Sequence, residues 1–192
     1  MGFRIAILIS GRGSNMKNII KACKSKKLAS SVSLVVSNKK DADGLAIAKK
    51  MKINCYSLDD KNLTKSEFEN QLEKILYKNN INFICLAGFM KVLSKDFVNK
   101  WPKKIINIHP SLLPSFKGLN PQKMALDAKV KYTGCTVHFV NDKIDDGEII
   151  DQEIVYIDKD YNIEILKKKI LKKEHKLYIR VIRTLEINNG KD

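Results

Sequence analysis

The chain has 192 residues, enough for one α/β domain and short for two ordinary ones. Hydrophobic residues make up 44% of it, which supports a sizeable core and excludes global disorder. No run approaches the roughly 20 apolar residues that span a bilayer. We therefore expect a cytoplasmic protein without a membrane partner.

The formal net charge of +15 first suggests a nucleic-acid partner. However, 32 of the 36 basic residues are lysine, spread along the whole chain, whereas base and phosphate recognition favours arginine. We therefore prefer a solvated lysine-rich surface and expect no nucleic-acid partner. Such a surface would still attract anionic small molecules.

The four cysteines are widely spaced and form no C-x-x-C pair. Each lies in an apolar helix or strand pattern, which favours buried free thiols over a disulfide framework or a zinc site. We therefore expect no metal.

In chain order, the first half alternates between apolar runs and 3.6-residue spacing, which indicate buried parallel strands and helices respectively. Strands are predicted at residues 3–9, 31–37, 53–58 and 83–87, and helices at 14–27, 42–51 and 65–77. This alternation predicts an α/β fold with a Rossmann-like, mostly parallel sheet flanked by helices. Ligands bind such sheets beyond the carboxyl ends of the strands.

The second half has a different pattern. A strand at residues 104–109 runs into a rigid loop bounded by Pro110 and Pro114. A short helix at 121–128 follows, then strands at 133–140 and 149–157, and a long amphipathic C-terminal helix at 163–185. We find no linker or internal repeat, so a single domain over residues 1–192 is predicted.

The segment SGRGSN (residues 10–15) lies between the first strand and the first helix. Glycines there let backbone N–H groups approach an anion, and the helix N-terminus adds a favourable dipole. The dinucleotide pattern G-x-G-x-x-G fails because Met16 occupies its last glycine position, and the P-loop ending is also absent. Two interpretations remain, a cradle for one phosphate or a plain glycine turn, and in both Ser14 is predicted to cap the helix.

Asn107 and His109 are two residues apart in an extended segment, so their side chains share one face. An amide donor beside an imidazole suits a developing oxyanion, because the amide donates a hydrogen bond and an imidazolium supplies charge and a proton. The alternative is a structural histidine beside a turn. The residues alone leave both open.

The acidic turn at residues 141–147 is typical of a surface loop, and its spacing does not fit a calcium loop. A carboxylate from it could orient and charge a nearby histidine. Spacing alone does not show that it reaches His109.

Taken together, these segments resemble the phosphoribosylglycinamide formyltransferase family, the folate-dependent enzymes of purine synthesis. The matching stretches are ILISGRGSNMKNII, LVVSNKKDADGLAIAKK, LAGFMKVLS, IINIHPSLLPSFKGL, GCTVHFVNDKIDDGEII and KKEHKLY. They follow the family's order and cover the chain nearly end to end. Asn-x-His-Pro-Ser-Leu-Leu-Pro is specific for the wider formyltransferase superfamily, and the Gly-x-Gly-Ser-Asn loop narrows the resemblance to the glycinamide ribonucleotide branch.

The resemblance implies the formyltransferase fold, with a phosphate-binding half at residues 1–100 and a catalytic and folate-binding half at 101–192. It implies transfer of the formyl group of 10-formyltetrahydrofolate to the amine of glycinamide ribonucleotide in de novo purine biosynthesis. The products would be formylglycinamide ribonucleotide and tetrahydrofolate. The expected partners are the small molecules glycinamide ribonucleotide and folate. The chain itself is expected to be a monomer or a weak homodimer.

The resemblance also implies roles for individual residues. Asn107 would hydrogen-bond the formyl oxygen, His109 would act as general acid and stabilise the tetrahedral intermediate, and Asp145 would pair with His109 and help to move protons. The residues implied to hold the ribotide are Gly13, Ser14 and Asn15 at the phosphate and Glu174 at the ribose. Those implied to bind folate are Met90, Lys91, Val92, Leu93, Asn141, Asp142, Lys143 and Ile144, with Lys65 near the glutamate tail.

The chain departs from the family pattern at two places. It has Asn120-Pro121-Gln122 where family members often carry histidines, and it has Lys65 and Lys91 where arginine is common. We expect His138 to support the site rather than to catalyse, and His175 to be a packing residue. Alternatives within enzymes are a methionyl-tRNA or sugar-nucleotide formyltransferase, neither of which fits the phosphate loop as well, and a formyltetrahydrofolate hydrolase. The extra C-terminal domain usual in the methionyl-tRNA enzyme and the N-terminal regulatory domain of the hydrolase are not expected here. A basic nucleic-acid-binding module is the alternative from another class.

Overall fold

A computed structural model of the chain describes residues 2–59, 61 and 63–190. Within them, seven strands form one sheet in the order β3-β2-β1-β4-β5-β6-β7. The strands are β1 (Arg4–Ile9), β2 (Ser31–Ser37), β3 (Asn54–Ser57), β4 (Phe83–Leu86), β5 (Ile105–His109), β6 (Tyr132–Phe139) and β7 (Ile149–Tyr156). The helices are α1 (Ser14–Lys24), α2 (Asp43–Lys50), α3 (Lys65–Lys78), α4 (Lys95–Asn99), α5 (Pro121–Asp127) and α6 (Ile163–Asn188).

One strand, β6, runs opposite to the rest of the sheet. Strands β1 to β5 pair in parallel, whereas β6 pairs antiparallel with both β5 and β7. The β5–β6 register places Asn107 opposite His138 and His109 opposite Thr136. The predicted mostly parallel α/β sheet with flanking helices and a long C-terminal helix is therefore confirmed.

Both faces of the central strands are covered, which explains their continuous apolar runs. In β1, Ile5, Ile7 and Ile9 belong to the core that α1 and α6 cover, and Ala6 and Leu8 belong to the core that α3 covers. Tyr178 of α6 is fully buried, and its hydroxyl donates to the backbone oxygens of Leu86 and Ile106, next to Asn107.

The largest departures from the predicted elements concern helix ends. The prediction that Ser14 caps α1 is wrong: the cap position is Gly13, in a left-handed conformation with φ 69° and no side-chain cap bond. Helix α1 ends at Lys24 rather than at residue 27, because Lys26 adopts a left-handed φ of 58°. Helix α4 was not predicted, since five residues are too few for a periodic pattern; Ser94 caps it by accepting from Phe97 N.

Helix α6, near the end of the described chain, is hydrogen-bonded to the segment that precedes β2. The buried carboxylate of Glu186 accepts hydrogen bonds from Ala29 N at 3.1 Å and Ser30 N at 2.7 Å, at the start of β2. Two charge-assisted bonds of this kind anchor the helix against the N-terminal half. None of the described helices combines the length and hydrophobicity that crossing a membrane requires.

Candidate active site

Asn107 and His109 project from β5 toward one carboxylate, that of Asp145. His109 Nδ1 lies 3.2 Å from Asp145 Oδ2, and Asn107 Nδ2 makes a longer contact of 3.5 Å with Asp145 Oδ1. His109 is buried, and the carboxylate is largely shielded from solvent. The three residues predicted to be catalytic therefore form one cluster, with the side chains of Asn107 and His109 on a shared face as expected from their spacing.

Asp145 reaches this position because of its backbone. It lies in the turn between β6 and β7 with a left-handed φ of 48°, a conformation that aspartate tolerates better than most residues. Its Oδ2 also accepts the backbone N–H of Gly118 at 2.9 Å. The neighbouring Asp146 instead pairs with Lys117. Only the first of the two adjacent aspartates therefore faces the cluster.

Both ring nitrogens of His109 face hydrogen-bond acceptors. Its Nδ1 faces the Asp145 carboxylate, and its Nε2 lies 2.9 Å from the backbone oxygen of Phe116. Both partners only accept hydrogen bonds, so a ring protonated on both nitrogens satisfies them together. The arrangement suits an imidazolium held beside a carboxylate, a group that can donate a proton and stabilise negative charge.

His138 supports the cluster from β6. Its Nδ1 lies 2.8 Å from Phe139 O and its Nε2 lies 3.2 Å from Asn107 Nδ2. The carbonyl requires a proton on Nδ1, so in the neutral ring Nε2 accepts from the Asn107 amide. Burial lowers the pKa of His138 from its ordinary value, which favours this neutral form. The geometry fits the supporting role expected for His138.

The glycine turn at residues 10–15 is tightly packed at Gly13. A Cβ there would lie 2.9 Å from Met16 Cε and 3.0 Å from the Cα of Gly44, and the left-handed φ is itself unfavourable for other residues. Gly11, in contrast, has open space where a Cβ would stand. Gly13 is therefore required for the shape of this turn, and Ser14 begins the helix that follows.

The structure brings Asn15 and Glu174 together, although 159 residues separate them. Asn15 Nδ2 donates to Glu174 Oε2 at 2.7 Å, and each residue is only 8% exposed. Burial raises the pKa of the Glu174 carboxyl, and the bond from Asn15 opposes this. Asn15 Oδ1 is buried without a protein partner among the described residues. The pair thus offers an amide oxygen and a carboxylate, which suit hydroxyl groups as donors.

The residues predicted to bind folate lie on two segments, 90–93 after β4 and 141–144 after β6. Met90, Val92 and Ile144 expose large apolar side chains, whereas the side chain of Leu93 belongs to the core under α3. Asn141 is half-buried, and Asp142 and Lys143 are exposed. Lys91 Nζ lies 4.9 Å from the centroid of the Phe68 ring, and Lys65 is exposed at the start of α3.

Two features of the cluster were not predicted from the sequence. The loop after Pro110 places Phe116 O on His109 and Gly118 N on Asp145. A Pro-Ser-Leu-Leu-Pro pattern indicates a rigid loop, but it carries no signal for which backbone group meets which side chain.

Within residues 2–59, 61 and 63–190, no group of three or more His, Cys, Asp or Glu is placed to hold a metal ion.

Comparison with known proteins gives consistent results. A family model described as formyl transferase matches residues 3–182. The chain is 39% identical over 181 residues to the phosphoribosylglycinamide formyltransferase of Haemophilus influenzae, covering 94% of this chain and 85% of that protein. It superimposes on the crystal structure of glycinamide ribonucleotide transformylase 1 from Symbiobacterium toebii with a TM-score of 0.94 and 36% identity, covering 97% of this chain and 89% of that one.

A longer relative also matches. The chain is 43% identical over 176 residues to the trifunctional purine biosynthetic protein adenosine-3 of Gallus gallus, covering 91% of this chain. The match spans 18% of that protein, so this chain corresponds to less than a fifth of the relative's length.

Proposed function

Because the chain belongs to the formyl transferase family, we propose that it transfers the formyl group of 10-formyltetrahydrofolate to the amine of glycinamide ribonucleotide, a step of purine biosynthesis. The observation that carries this proposal is the convergence of Asn107, His109 and Asp145 in one shielded cluster. Similarity to phosphoribosylglycinamide formyltransferases along nearly the whole chain supports the choice of substrates.

The reaction begins when the amine nitrogen attacks the formyl carbon and a C–N bond forms. The C=O electron pair moves onto oxygen, and Asn107 Nδ2 and the His109 imidazolium stabilise the resulting oxyanion. One such donor typically contributes roughly 3–4 kcal/mol in the transition state. When C=O re-forms, the bond from carbon to N10 of the folate breaks and N10 takes up a proton, while the former amine loses one. His109 is the acid and Asp145 helps to move the protons.

The contacts of the unliganded site define what must change during this reaction. His109 Nε2 is bonded to Phe116 O, and the Asn107 amide is directed toward His138 and Asp145. The formyl oxygen therefore has to replace one of these acceptors before the donors can stabilise it. His138 keeps the nitrogen of Asn107 turned into the site during this exchange.

The two ligands take different parts of the surface. The turn with Gly13, Ser14 and Asn15 would hold the phosphate, and the buried acceptors of Asn15 and Glu174 would receive ribose hydroxyls. Segments 90–93 and 141–144 would contact the folate, with Lys65 near its glutamate tail. The cytoplasmic location, the absence of a nucleic-acid partner and the monomer or weak homodimer stay predictions.

The test is a formyl-transfer assay with the purified protein, 10-formyltetrahydrofolate and glycinamide ribonucleotide. We expect rapid formation of formylglycinamide ribonucleotide, and much weaker binding of the dephosphorylated riboside in calorimetry. Methionyl-tRNA, an amino-sugar nucleotide and water alone serve as alternative acceptors. Preferential formylation of either alternative amine, or folate hydrolysis without transfer, would replace the proposed function.

A further inference from the structure

Ser10 follows β1 and lies against both strands that flank it. Its backbone N–H donates to Gly88 O, beyond β4, at 3.0 Å. Its Oγ lies 2.7 Å from Met90 N and 2.5 Å from Oδ1 of Asn38, the residue that follows β2. Ser10 is 6% exposed and Asn38 is 4% exposed, so these bonds are shielded from water.

The direction of the bonds follows from the groups involved. A backbone N–H can only donate, so Ser10 Oγ accepts from Met90 and uses its single proton for Asn38 Oδ1. The result is a relay from Met90 N–H through the Ser10 hydroxyl to Asn38, crossing the carboxyl ends of β4, β1 and β2. Hydrogen bonds in such a buried chain strengthen one another.

The relay joins the two ligand regions of the proposed function. Gly11 to Asn15 follow Ser10 directly, and Met90 begins the segment predicted to contact folate. The Met90 side chain is 65% exposed, and Gly88 has a left-handed φ of 73° with open space where a Cβ would stand. Between them, Phe89 packs against the core under α3 and stacks on Phe68, whereas Met90 and Gly88 contribute little packing. The backbone on either side of Phe89 bonds to Ser10, at Gly88 O and at Met90 N.

We propose that Ser10 is a positioning residue. With Asn38 it holds segment 90–93, on the folate side, at a defined distance from the glycine turn at residues 10–15, which we call the ribotide turn. The proposal rests on the proposed function for its kinetic consequences, but the hydrogen bond at Met90 N exists whatever the substrate is. Without the hydroxyl, Met90 N–H loses its acceptor and the start of the segment is free to shift, whereas the Gly13 turn keeps its own packing.

The kinetic test compares Ser10→Ala with the wild-type protein. We expect the KM for 10-formyltetrahydrofolate to rise about tenfold, equivalent to about 1.4 kcal/mol, and the KM for glycinamide ribonucleotide to stay within about twofold. Ser10→Thr, which restores the hydroxyl, should recover most of the folate affinity. Equal changes in both KM values, or none in the folate KM, would show that Ser10 serves folding alone.

Ser37→Ala is the matched control. Ser37 is likewise a buried serine at a strand end, but among the described residues its Oγ bonds within its own turn, to the backbone N and O of Lys39. Its loss is expected to affect stability without a selective change in the folate KM. A selective folate effect of Ser37→Ala as large as that of Ser10→Ala would overturn the proposal.

A second readout is independent of activity. Amide hydrogen exchange of Met90, measured by NMR on the unliganded protein, should be protected in the wild type and at least about tenfold faster in Ser10→Ala, with Ser37→Ala unchanged. If Ser10→Ala does not fold, Asn38→Ala removes the acceptor of the same hydroxyl and should also accelerate exchange at Met90. Unchanged exchange at Met90 in the folded variants would sink the proposal, whereas failure of formyl transfer by the wild type would sink only the proposed function.

Discussion

The glycine turn after β1, proposed to hold the ribotide, and the cluster of Asn107, His109 and Asp145, proposed to be catalytic, are built by different means. At the turn, shape comes from the backbone: Gly13 is left-handed, and a side chain there would collide with Met16 and Gly44. At the cluster, Asn107, His109 and Asp145 meet through their functional groups. A binding surface made of backbone is sensitive to added bulk, and a reactive one made of side chains is sensitive to the loss of a charge or a donor.

The difference has a topological origin. Parallel strands all end at one edge of a sheet, where turns such as residues 10–15 expose backbone N–H groups to a ligand. The antiparallel β6–β7 pair instead returns the chain toward β5, and its turn carries Asp145 back to the side chains of that strand. The proposed chemistry is therefore located where β6 reverses the strand direction.

The largest effect is expected from His109→Ala. Loss of the proton donor should lower kcat by about 10²–10⁴-fold, with smaller changes in either KM, because the interaction is strongest in the transition state. Asp145→Asn keeps the shape but removes the charge beside the imidazolium, so kcat should fall here too. Steady-state kinetics on folded variants measure both effects.

The control and the double variant test whether the cluster acts as a unit. Asp146→Asn alters the neighbouring aspartate, which pairs with Lys117, and should retain most activity. The variant with both His109→Ala and Asp145→Asn should be much less impaired than the product of the single effects. Fully multiplicative losses, or near-normal turnover of the single variants, would mean that these residues are structural.

At the ribotide turn, Gly13→Ala should raise the KM for glycinamide ribonucleotide by roughly tenfold, since a left-handed alanine costs about 1–2 kcal/mol and its Cβ also crowds the Cα of Gly44. The preference for ribotide over riboside should shrink, while kcat changes less. Gly11→Ala is the matched control, because its Cβ meets nothing within 4 Å. Equal effects of the two substitutions would mean that the shape of the turn does not set phosphate affinity.

Glu174→Gln should weaken ribotide binding several-fold and yet stabilise the fold near neutral pH. The folded-state pKa of this carboxyl is raised by burial, so its contribution to stability is present below the unfolded value near 4.5 and is lost as pH rises through the folded value. Glutamine avoids this loss, so a gain in the free energy of unfolding is expected at pH 8 and little change at pH 4. Urea unfolding at both pH values measures it; a variant equally destabilised at both would contradict the buried-charge explanation.

The smallest effect is expected at Lys65. Its side chain is exposed, and surface charges contribute about 0–1 kcal/mol. Lys65→Met should therefore raise the folate KM by no more than a few-fold, and the difference from wild type should disappear in high salt. A loss of affinity that persists at high salt would show a closer contact with the folate than exposure suggests.

Much of the parallel half was predictable because its signals are local. Buried strands produce continuous apolar runs, and the two-residue side-chain period of a strand predicts that Asn107 and His109 share one face. Helix ends were less predictable: α1 stops where Lys26 turns left-handed, and no glycine or proline marks that position. Helix α4 is too short to produce a pattern at all.

Local sequence patterns were sufficient for the order of the seven strands and of every helix except α4, the glycine turn after β1, the face shared by Asn107 and His109, and the family resemblance. Which distant groups meet became visible in three dimensions: Asp145 and Asn107 across 38 residues, Asn15 and Glu174 across 159, and Met90 with Ser10 across 80. The reason is physical, since periodicity reports which face of an element is buried but not which element covers it. Partners of buried polar groups are chosen by packing and hydrogen-bond satisfaction in three dimensions.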